Sequence, residues 1–218
     1  MKRRVLCFGD SNTWGYSPAG TRFDESTRWP MRLQAALGGD YTVIEEGLNG
    51  RTTVHDDPTE GGHKSALRYL PGCLMSHAPL DLVVLMLGTN DTKQRFGMNA
   101  YTISQGMSRL IQQVRLYGAL PGGKPPRVLL VAPILIGDWI MDTEMGPTFG
   151  PQSAAVARGL AEEYRKLAGL FGVEYLNAAG VAQPCAEDAV HMTAENHEKL
   201  AEALRQRIVT LFKEVPLA

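Results

Sequence analysis

The stretch that decides the fold is Val5-Leu6-Cys7-Phe8-Gly9-Asp10-Ser11-Asn12-Thr13-Trp14-Gly15. A short apolar run leads into a Gly-Asp-Ser turn, after which the chain becomes polar and is interrupted by glycine. This order is typical of α/β folds, in which a buried strand presents a side chain at its carboxyl end. We therefore interpret the apolar run as a strand and Ser11 as a candidate nucleophile at its end.

Strand and helix patterns alternate along the rest of the chain. Apolar runs predict buried strands, and apolar residues at three- and four-residue spacing predict amphipathic helices. Further strands are predicted at residues 41–45, 80–87, 127–132 and 173–177. Helices are predicted at residues 29–37, 73–77, 103–117, 152–171 and 195–212. The alternation predicts one α/β domain over residues 1–218, with a parallel sheet covered by helices on both faces.

Three segments have weaker patterns. Residues 55–72 are predicted to be mostly loop, with weak helical spacing only at 66–70. Residues 134–151 mix Trp, Met and Phe with Gly and Pro, so we assign no element there and consider this segment a lid or a wall over a pocket. Residues 178–189 are predicted to be a loop.

Composition excludes several classes of protein. With 22 Lys and Arg against 23 Asp and Glu, the chain has no basic field that would attract nucleic acid or anionic lipid. The cysteines Cys7, Cys73 and Cys185 lack CxxC spacing, so neither a disulfide framework nor a zinc site is expected. No apolar run approaches the roughly 18 residues of a membrane span, and a signal peptide is interrupted at Gly9-Asp10. We expect a soluble cytoplasmic protein that needs no metal.

Three polar turns follow predicted strands, and they contain Ser11, Gly50 and Asn90. Because ligands of parallel sheets bind at the carboxyl ends of the strands, we expect the three turns to converge on one site. A serine becomes reactive when a general base lies within hydrogen-bond reach and a third group orients that base. Asp188 and His191, three residues apart near the last helix, supply such a pair.

Acyl transfer also requires donors that face the developing oxyanion. The candidates are the backbone N–H of Ser11, the backbone N–H of Gly50 and the side-chain amide of Asn90. Glycine at position 50 would let an acyl oxygen approach the main chain closely, and the Asn90 amide donates without carrying a charge. The residues therefore predict a serine acyl-transfer site.

Four blocks, Gly9-Asp10-Ser11, Gly50, Gly88-Thr89-Asn90-Asp91 and Asp188-Ala189-Val190-His191, resemble in this order those of the SGNH hydrolases, also called GDSL esterases. The resemblance implies a three-layer αβα sandwich with a doubly wound, flavodoxin-like parallel sheet. It also implies that Ser11 is the nucleophile, His191 the base, Asp188 its orienting acid, and Gly50 and Asn90 oxyanion donors. No cofactor is implied.

Several stretches are similar to the mycobacterial arylesterase and acyltransferase branch of this family. They are Cys7-Phe8-Gly9-Asp10-Ser11, Glu45-Glu46-Gly47-Leu48, Arg51-Thr52-Thr53, Asp56-Asp57-Pro58 and Met86-Leu87-Gly88-Thr89-Asn90-Asp91-Thr92-Lys93. This resemblance implies hydrolysis of small, often acetyl, esters, transfer of the acyl group to alcohols, and a homo-oligomer. One alternative is a carbohydrate or xenobiotic deacetylase of the same family. A second is a catalytically silent flavodoxin-like binding module.

The residues beside the nucleophile depart from the usual pattern, because Asn12 stands where the family name has leucine. We consider Asn12 and Trp14 candidates for the substrate pocket, with packing as the alternative for Trp14. Asp10 either stabilises the turn or orders the site through hydrogen bonds.

Other polar residues have simpler interpretations. His191 could instead cap the last helix, together with Thr193 and Asn196. Arg51 and Lys93 are interpreted as solvated or paired charges. The remaining histidines have no ligand spacing for a metal and are predicted to lie on the surface, namely His55, His63, His77 and His197.

Overall fold

A five-stranded parallel sheet forms the centre of the molecule. The computed structural model describes residues 2–120 and 122–213. The strands are β1 (Arg3–Gly9), β2 (Tyr41–Gly47), β3 (Leu82–Met86), β4 (Arg127–Ala132) and β5 (Glu174–Asn177). Their spatial order is β2-β1-β3-β4-β5, and every neighbouring pair is parallel. This is the doubly wound, flavodoxin-like order, in which the winding reverses between β1 and β3.

Helices cover both faces of the sheet, which confirms the predicted fold class. They are α1 (Ser11–Trp14), α2 (Trp29–Leu37), α3 (Ala66–His77), α4 (Ala100–Tyr117), α5 (Gly146–Phe149), α6 (Ser153–Phe171) and α7 (Ala194–Lys213). Helices α2 and α7 pack on one face, and α3, α4 and α6 pack on the other. Within the described ranges, no helix is long and apolar enough to cross a membrane.

Strand β1 shows why the strands of this sheet are unbroken apolar runs in the sequence. Val5 and Cys7 pack toward α2 and α7, whereas Leu6 and Phe8 pack toward α3, α4 and α6. Because both faces of the strand are buried, alternation between apolar and polar residues is lost. The strand therefore packs against a hydrophobic core on each side. Its carboxyl end, Gly9, leads into the turn that contains Ser11.

Helix α3 unites the weak helical spacing predicted at residues 66–70 and the short helix predicted at 73–77, whereas residues 55–65 lie outside any α-helix, as predicted. It is one continuous helix from Ala66 to His77, although Pro71 lies inside it. A proline cannot donate the helical hydrogen bond to the carbonyl four residues earlier. Here that carbonyl, of Leu67, instead accepts a 2.8 Å hydrogen bond from the side chain of Gln113 on α4. The partner that makes the proline tolerable is thus remote in sequence.

Two other boundaries differ from the predicted ones for local reasons. Helix α4 begins three residues before the predicted start, because Asn99 and Thr102 form a capping box ahead of the apolar spacing. Strand β3 is shorter than the predicted 80–87, and just beyond it Gly88 adopts a φ of +120° that leaves the extended region. The unassigned segment 134–151 contains α5 and packs through Ile136, Ile140 and Phe149 against Ala189 and Val190.

Candidate active site

The turn after β1 presents Ser11 at the point where the winding of the sheet reverses. Asp10 caps α1, because its Oδ1 atom accepts a 3.0 Å hydrogen bond from the backbone N–H of Asn12. Its other oxygen, Oδ2, is buried without a hydrogen-bond partner among the described residues. Burial raises the pKa of Asp10 to about 6, although the Asn12 hydrogen bond opposes the shift. Asp10 therefore stabilises the turn that begins at Ser11.

The structure brings Ser11, His191 and Asp188 together in one chain of hydrogen bonds. The Nε2 atom of His191 lies 2.9 Å from Ser11 Oγ, and its Nδ1 atom lies 2.6 Å from Asp188 Oδ2. The second Asp188 oxygen accepts 2.8 Å bonds from the backbone N–H groups of Val190 and His191. Burial alone would raise the pKa of Asp188, but the hydrogen bonds and charge of His191 outweigh it and hold the pKa well below its ordinary value. A carboxylate that stays ionised can orient the imidazole and stabilise its charged form.

The loop that carries His191 is held by bonds to its own backbone and to the segment 134–151. Ala189 adopts a φ of +63°, which is unfavourable for a residue with a Cβ. The carbonyl of Ala189 accepts a 2.8 Å hydrogen bond from Gly137, and the carbonyl of His191 accepts a 2.7 Å bond from Cys185. Helix α7 starts beyond His191, next to Thr193 and Asn196, which hydrogen-bond to each other. His191 therefore faces the serine instead of capping that helix.

Gly50 and Asn90 lie on the wall of the cavity above Ser11. Gly50 has a φ of +78°, and a Cβ atom there would approach Glu60 Oε2 to 2.5 Å. The amide of Asn90 donates one hydrogen to the carbonyl of Arg51 at 3.1 Å, which leaves its second hydrogen for a ligand. Both residues line a cavity of about 180 Å³ that also contains Ser11 and His191.

A match over most of the chain decides the family. The model of the GDSL-like Lipase/Acylhydrolase family matches residues 7–199, which contain all five of these positions. The chain belongs to this family.

Solved structures of esterases resemble this GDSL-like acylhydrolase over nearly its whole length. An aryl esterase of M. smegmatis is 38% identical, with a TM-score of 0.87 and coverage of 96% of this chain and 100% of the other. Est24, a carbohydrate acetylesterase from Sinorhizobium meliloti, is 37% identical, with a TM-score of 0.88 and coverage of 97% and 100%.

An acetylxylan esterase of Xylanibacter ruminicola is 25% identical to the acylhydrolase over 217 residues. The match covers 94% of this chain but only 43% of that relative, so the acylhydrolase spans less than half of its length.

Arg51 is buried and bonds to backbone carbonyls, which corrects the prediction that it is a solvated or paired charge. One guanidinium nitrogen donates to the carbonyl of Gly9 at 2.9 Å and also to the carbonyl of Glu46. The guanidinium carbon lies 4.1 Å from the centre of the Phe8 ring and 5.1 Å from that of Tyr69. Arg51 thus joins the carboxyl ends of β1 and β2 beneath the Gly50 turn.

Asp91 connects the Asn90 turn to the Gly50 turn of the acylhydrolase. Its carboxylate accepts hydrogen bonds from the backbone N–H of Thr53, at 2.9 and 3.0 Å, and from the Thr53 hydroxyl, at 2.5 Å. Burial raises the pKa of Asp91 to about 6, while the Thr53 hydrogen bonds act in the opposite direction. Arg51 and Asp91 together connect the turns of the two predicted oxyanion donors to each other and to the end of β1.

Lys93 is a paired charge, as one of the two interpretations of the sequence expected, and it also lines the cavity. Its Nζ atom lies 2.5 Å from Oε1 of Glu60. The same Glu60 oxygen is 2.5 Å from Arg95 Nη2, which also pairs with Asp57 at 2.7 Å. Reasoning from the sequence missed Glu60, because nothing in its neighbourhood indicated that the turn at residues 58–60 folds over Gly50.

Asn12 and Trp14, predicted as pocket residues, do not line this cavity. Asn12 is buried and hydrogen-bonds to the backbone on both sides of His191. The Trp14 ring lies under the guanidinium carbon of Arg22, at 4.9 Å. The wall is made instead by Met145, Thr148 and Phe149 of the unassigned segment 134–151, and by Tyr16, whose ring centre is 4.3 Å from that of His191.

One of the remaining histidines is not the surface residue that was predicted, and a second belongs to a cluster. His197 on α7 is fully buried and accepts a 3.3 Å hydrogen bond from the backbone N–H of Trp29. His77 lies 3.0 Å from Glu46, and these two residues and Cys73 each offer an atom within 4.8 Å of the others, a set that could hold a metal. Burial raises the pKa of the Cys73 thiol to about 12. This cluster lies outside the cavity that contains Ser11.

Proposed function

We propose that this chain is a serine esterase that hydrolyses small carboxylic esters through an acyl-enzyme on Ser11. The observation that carries the proposal is the unbroken chain from Ser11 Oγ through His191 to Asp188, with bonds of 2.9 and 2.6 Å. Its open end faces a cavity that Gly50 and Asn90 also line. A nucleophile, a base, an orienting acid and oxyanion donors are the parts that acyl transfer requires.

In acylation, Ser11 Oγ attacks the ester carbonyl carbon as its proton passes to His191 Nε2. The tetrahedral oxyanion is stabilised by the N–H groups of Ser11 and Gly50 and by the free amide hydrogen of Asn90. The intermediate collapses when the bond from carbon to the leaving oxygen breaks, and His191 gives its proton to that oxygen. The products are an acyl-Ser11 ester and a free alcohol or phenol.

In deacylation, His191 takes a proton from a water molecule, whose oxygen attacks the acyl carbon. The bond to Ser11 Oγ then breaks, and the proton returns to that oxygen. An acceptor alcohol in place of water would give a new ester, so the same site supports acyl transfer. Met145, Phe149 and Val190 make one wall of the cavity apolar, which favours an alcohol over water.

The cavity favours short acyl groups because it measures only about 180 Å³. Acetyl esters of phenols fit this size, and the aryl esterase relative supports them as substrates. We therefore place arylesterase or acetylesterase activity first, with acyl transfer as a second reaction of the same intermediate. The homo-oligomer and the cytoplasmic location stay predictions.

A carbohydrate acetylesterase is the second candidate. A neighbouring cavity of about 480 Å³ shares Tyr16 and Met145 with the catalytic one and is also lined by Glu144 and Glu187. Carboxylates accept hydrogen bonds from hydroxyl groups, so this space suits a polar leaving group such as a sugar. The carbohydrate acetylesterase Est24 and the acetylxylan esterase support this candidate.

The decisive experiment is labelling with a serine-directed phosphonate followed by peptide mass spectrometry. We expect one adduct, on Ser11, and loss of p-nitrophenyl acetate hydrolysis in proportion to labelling. Ser11→Ala should lose both properties. Ser104→Ala should keep both, because Ser104 is an equally buried serine on α4 whose hydroxyl donates to Tyr101.

The absence of an adduct on Ser11, together with the absence of hydrolysis, would support the silent binding module instead. Given activity, the acetyl esters of a phenol and of a sugar separate the two candidates. A higher kcat/KM for the sugar ester would favour the carbohydrate acetylesterase. Added alcohol, with the new ester quantified, measures acyl transfer.

A further inference from the structure

The side chain of Asn12 connects the nucleophile turn to the loop that carries the base. Its Nδ2 atom donates a 3.1 Å hydrogen bond to the carbonyl of Val190, and its Oδ1 atom accepts a 3.0 Å bond from the backbone N–H of Met192. These two residues flank His191 in the chain. The side chain is 2% exposed, so water does not compete for either bond.

These bonds differ from the other bonds that hold the loop. The backbone of His191 is bonded to Asp188 and Cys185, which belong to the same loop, and the carbonyl of Ala189 is bonded to Gly137. Such bonds set the shape of the loop, but they do not relate it to α1. The Asn12 pair does, because Asn12 follows Ser11 directly and its partners lie 178 and 180 residues away.

We propose that Asn12 is a positioning residue that sets the separation between Ser11 Oγ and His191 Nε2. This inference rests on the proposed esterase function. Both bonds require a group that donates and accepts at once, which a primary amide does. A leucine would do neither and would leave the buried Val190 carbonyl and Met192 N–H unpaired. An ionised aspartate would keep the Met192 bond but place a second acceptor against the Val190 carbonyl.

The consequence for catalysis follows from the geometry of proton transfer. The nitrogen of the base has to lie within about 2.6 to 3.2 Å of the oxygen that carries the proton. A displacement of about 1 Å can cost about a hundredfold in rate even when the substituted residue does not touch the substrate. Because Asn12 itself does not line the cavity, its loss should affect turnover more than substrate binding.

The test compares Asn12→Leu and Asn12→Asp with the wild-type enzyme on p-nitrophenyl acetate, with rates expressed per active site titrated by phosphonate. We expect kcat to fall about 10- to 100-fold in Asn12→Leu. Asn12→Asp should fall several-fold, and KM should stay within about twofold of wild type in both. The downfield NMR signal of the proton between His191 and Asp188 should broaden as the loop loses its attachment.

Asn99→Ala is the matched control, because it removes an asparagine that also bonds to backbone, in the cap of α4, and that does not line the cavity. It should lower stability and keep kcat. A kcat in Asn12→Leu within twofold of wild type would overturn the proposal, and so would an equal loss of kcat in Asn99→Ala. If Asn12→Leu does not fold, wild-type kcat in Asn12→Asp would overturn it. A wild-type enzyme that lacks hydrolysis and phosphonate labelling would instead refute the proposed function.

Discussion

At the scale of single residues, the site depends on side chains that perform two tasks at once. Asn90 is the clearest case, because its amide donates a hydrogen bond to the Arg51 carbonyl and the residue also lines the cavity. Asp188 similarly uses one oxygen for the backbone of its own loop and the other for His191. A substitution at such a residue changes geometry and chemistry together, so activity and stability have to be measured side by side.

Replacement of Asn90 by alanine should separate the two tasks. We expect kcat for p-nitrophenyl acetate to fall about 100- to 1,000-fold, roughly 3 to 4 kcal/mol of transition-state stabilisation, because one oxyanion donor is lost. KM should change little, since the donor acts mainly on the transition state. The free energy of unfolding in urea should fall by about 1 kcal/mol, because the Arg51 carbonyl loses its partner.

Asn99→Ala again provides the control for Asn90→Ala. Loss of its helix cap should cost about 1 kcal/mol of stability with no change in kcat. Wild-type turnover in Asn90→Ala would show that Asn90 is not an oxyanion donor.

At the scale of elements, the groups proposed to act in catalysis come from loops that follow the strands of the sheet. Ser11 follows β1, Asn90 follows β3, and these strands are neighbours in the sheet. Gly50 lies on the connection between β2 and α3, which is tied to the other two loops through Arg51 and Asp91. The shape of the Gly50 turn therefore affects both the cavity and the fold.

Gly50→Ala should impair both activity and stability. The positive φ disfavours alanine by about 1 to 2 kcal/mol, and the added Cβ would displace Glu60 beside the cavity. We expect a fall in kcat/KM of at least tenfold in addition to a lower free energy of unfolding in urea.

Gly172→Ala is the matched control for the Gly50 turn. Gly172 also has a positive φ, +59°, at the end of α6, but a Cβ there would meet nothing within 4 Å. Gly172→Ala should lower the free energy of unfolding and leave kcat/KM unchanged. If both variants retained wild-type kcat/KM, the Gly50 turn would have no part in catalysis.

At the scale of the whole molecule, buried ionisable groups make stability depend on pH. His197 lies between α2 and α7, where burial lowers its pKa to about 4 from an ordinary value of 6.5. Burial raises the pKa values of Asp10 and Asp91 to about 6, so these two carboxyl groups affect stability in the opposite direction. Their contribution to the free energy of unfolding is lost as pH rises. The free energy of unfolding at acid pH is set by the sum of these opposing contributions.

Replacement of His197 should make the free energy of unfolding less dependent on pH on the acid side of neutrality. A group whose pKa is lower in the folded state contributes fully above pH 6.5, and this contribution is lost as pH falls through 4. At pH values below the pKa of the folded state, the loss should reach about 3 kcal/mol, because each unit of pKa difference corresponds to about 1.4 kcal/mol. Urea unfolding of wild type and His197→Asn at pH 7, 5.5 and 4 isolates this group, because Asp10 and Asp91 are common to both. If the free energies of unfolding of the two proteins changed with pH in parallel, the lowered pKa would not belong to His197.

Sequence alone determined the strands and the turns that follow them, and it supplied the candidate catalytic residues, because these depend on local patterns. The run before Gly9 predicted a strand buried on both faces, and the spacing of Asp188 and His191 predicted a base with its orienting acid. Neighbours along the chain carry this information, so no knowledge of the packing was needed.

Only the tertiary structure decided how those pieces meet. The helix through Pro71 depends on Gln113 of another helix, and the buried Arg51 bonds to the carbonyl of Gly9, 42 residues away. Asn12 is predicted as a pocket residue because it neighbours the nucleophile, yet its partners lie 178 and 180 residues further along. A hydrogen bond depends on the distance between two groups in space, and that distance exists only once the sheet has brought the ends of the chain together.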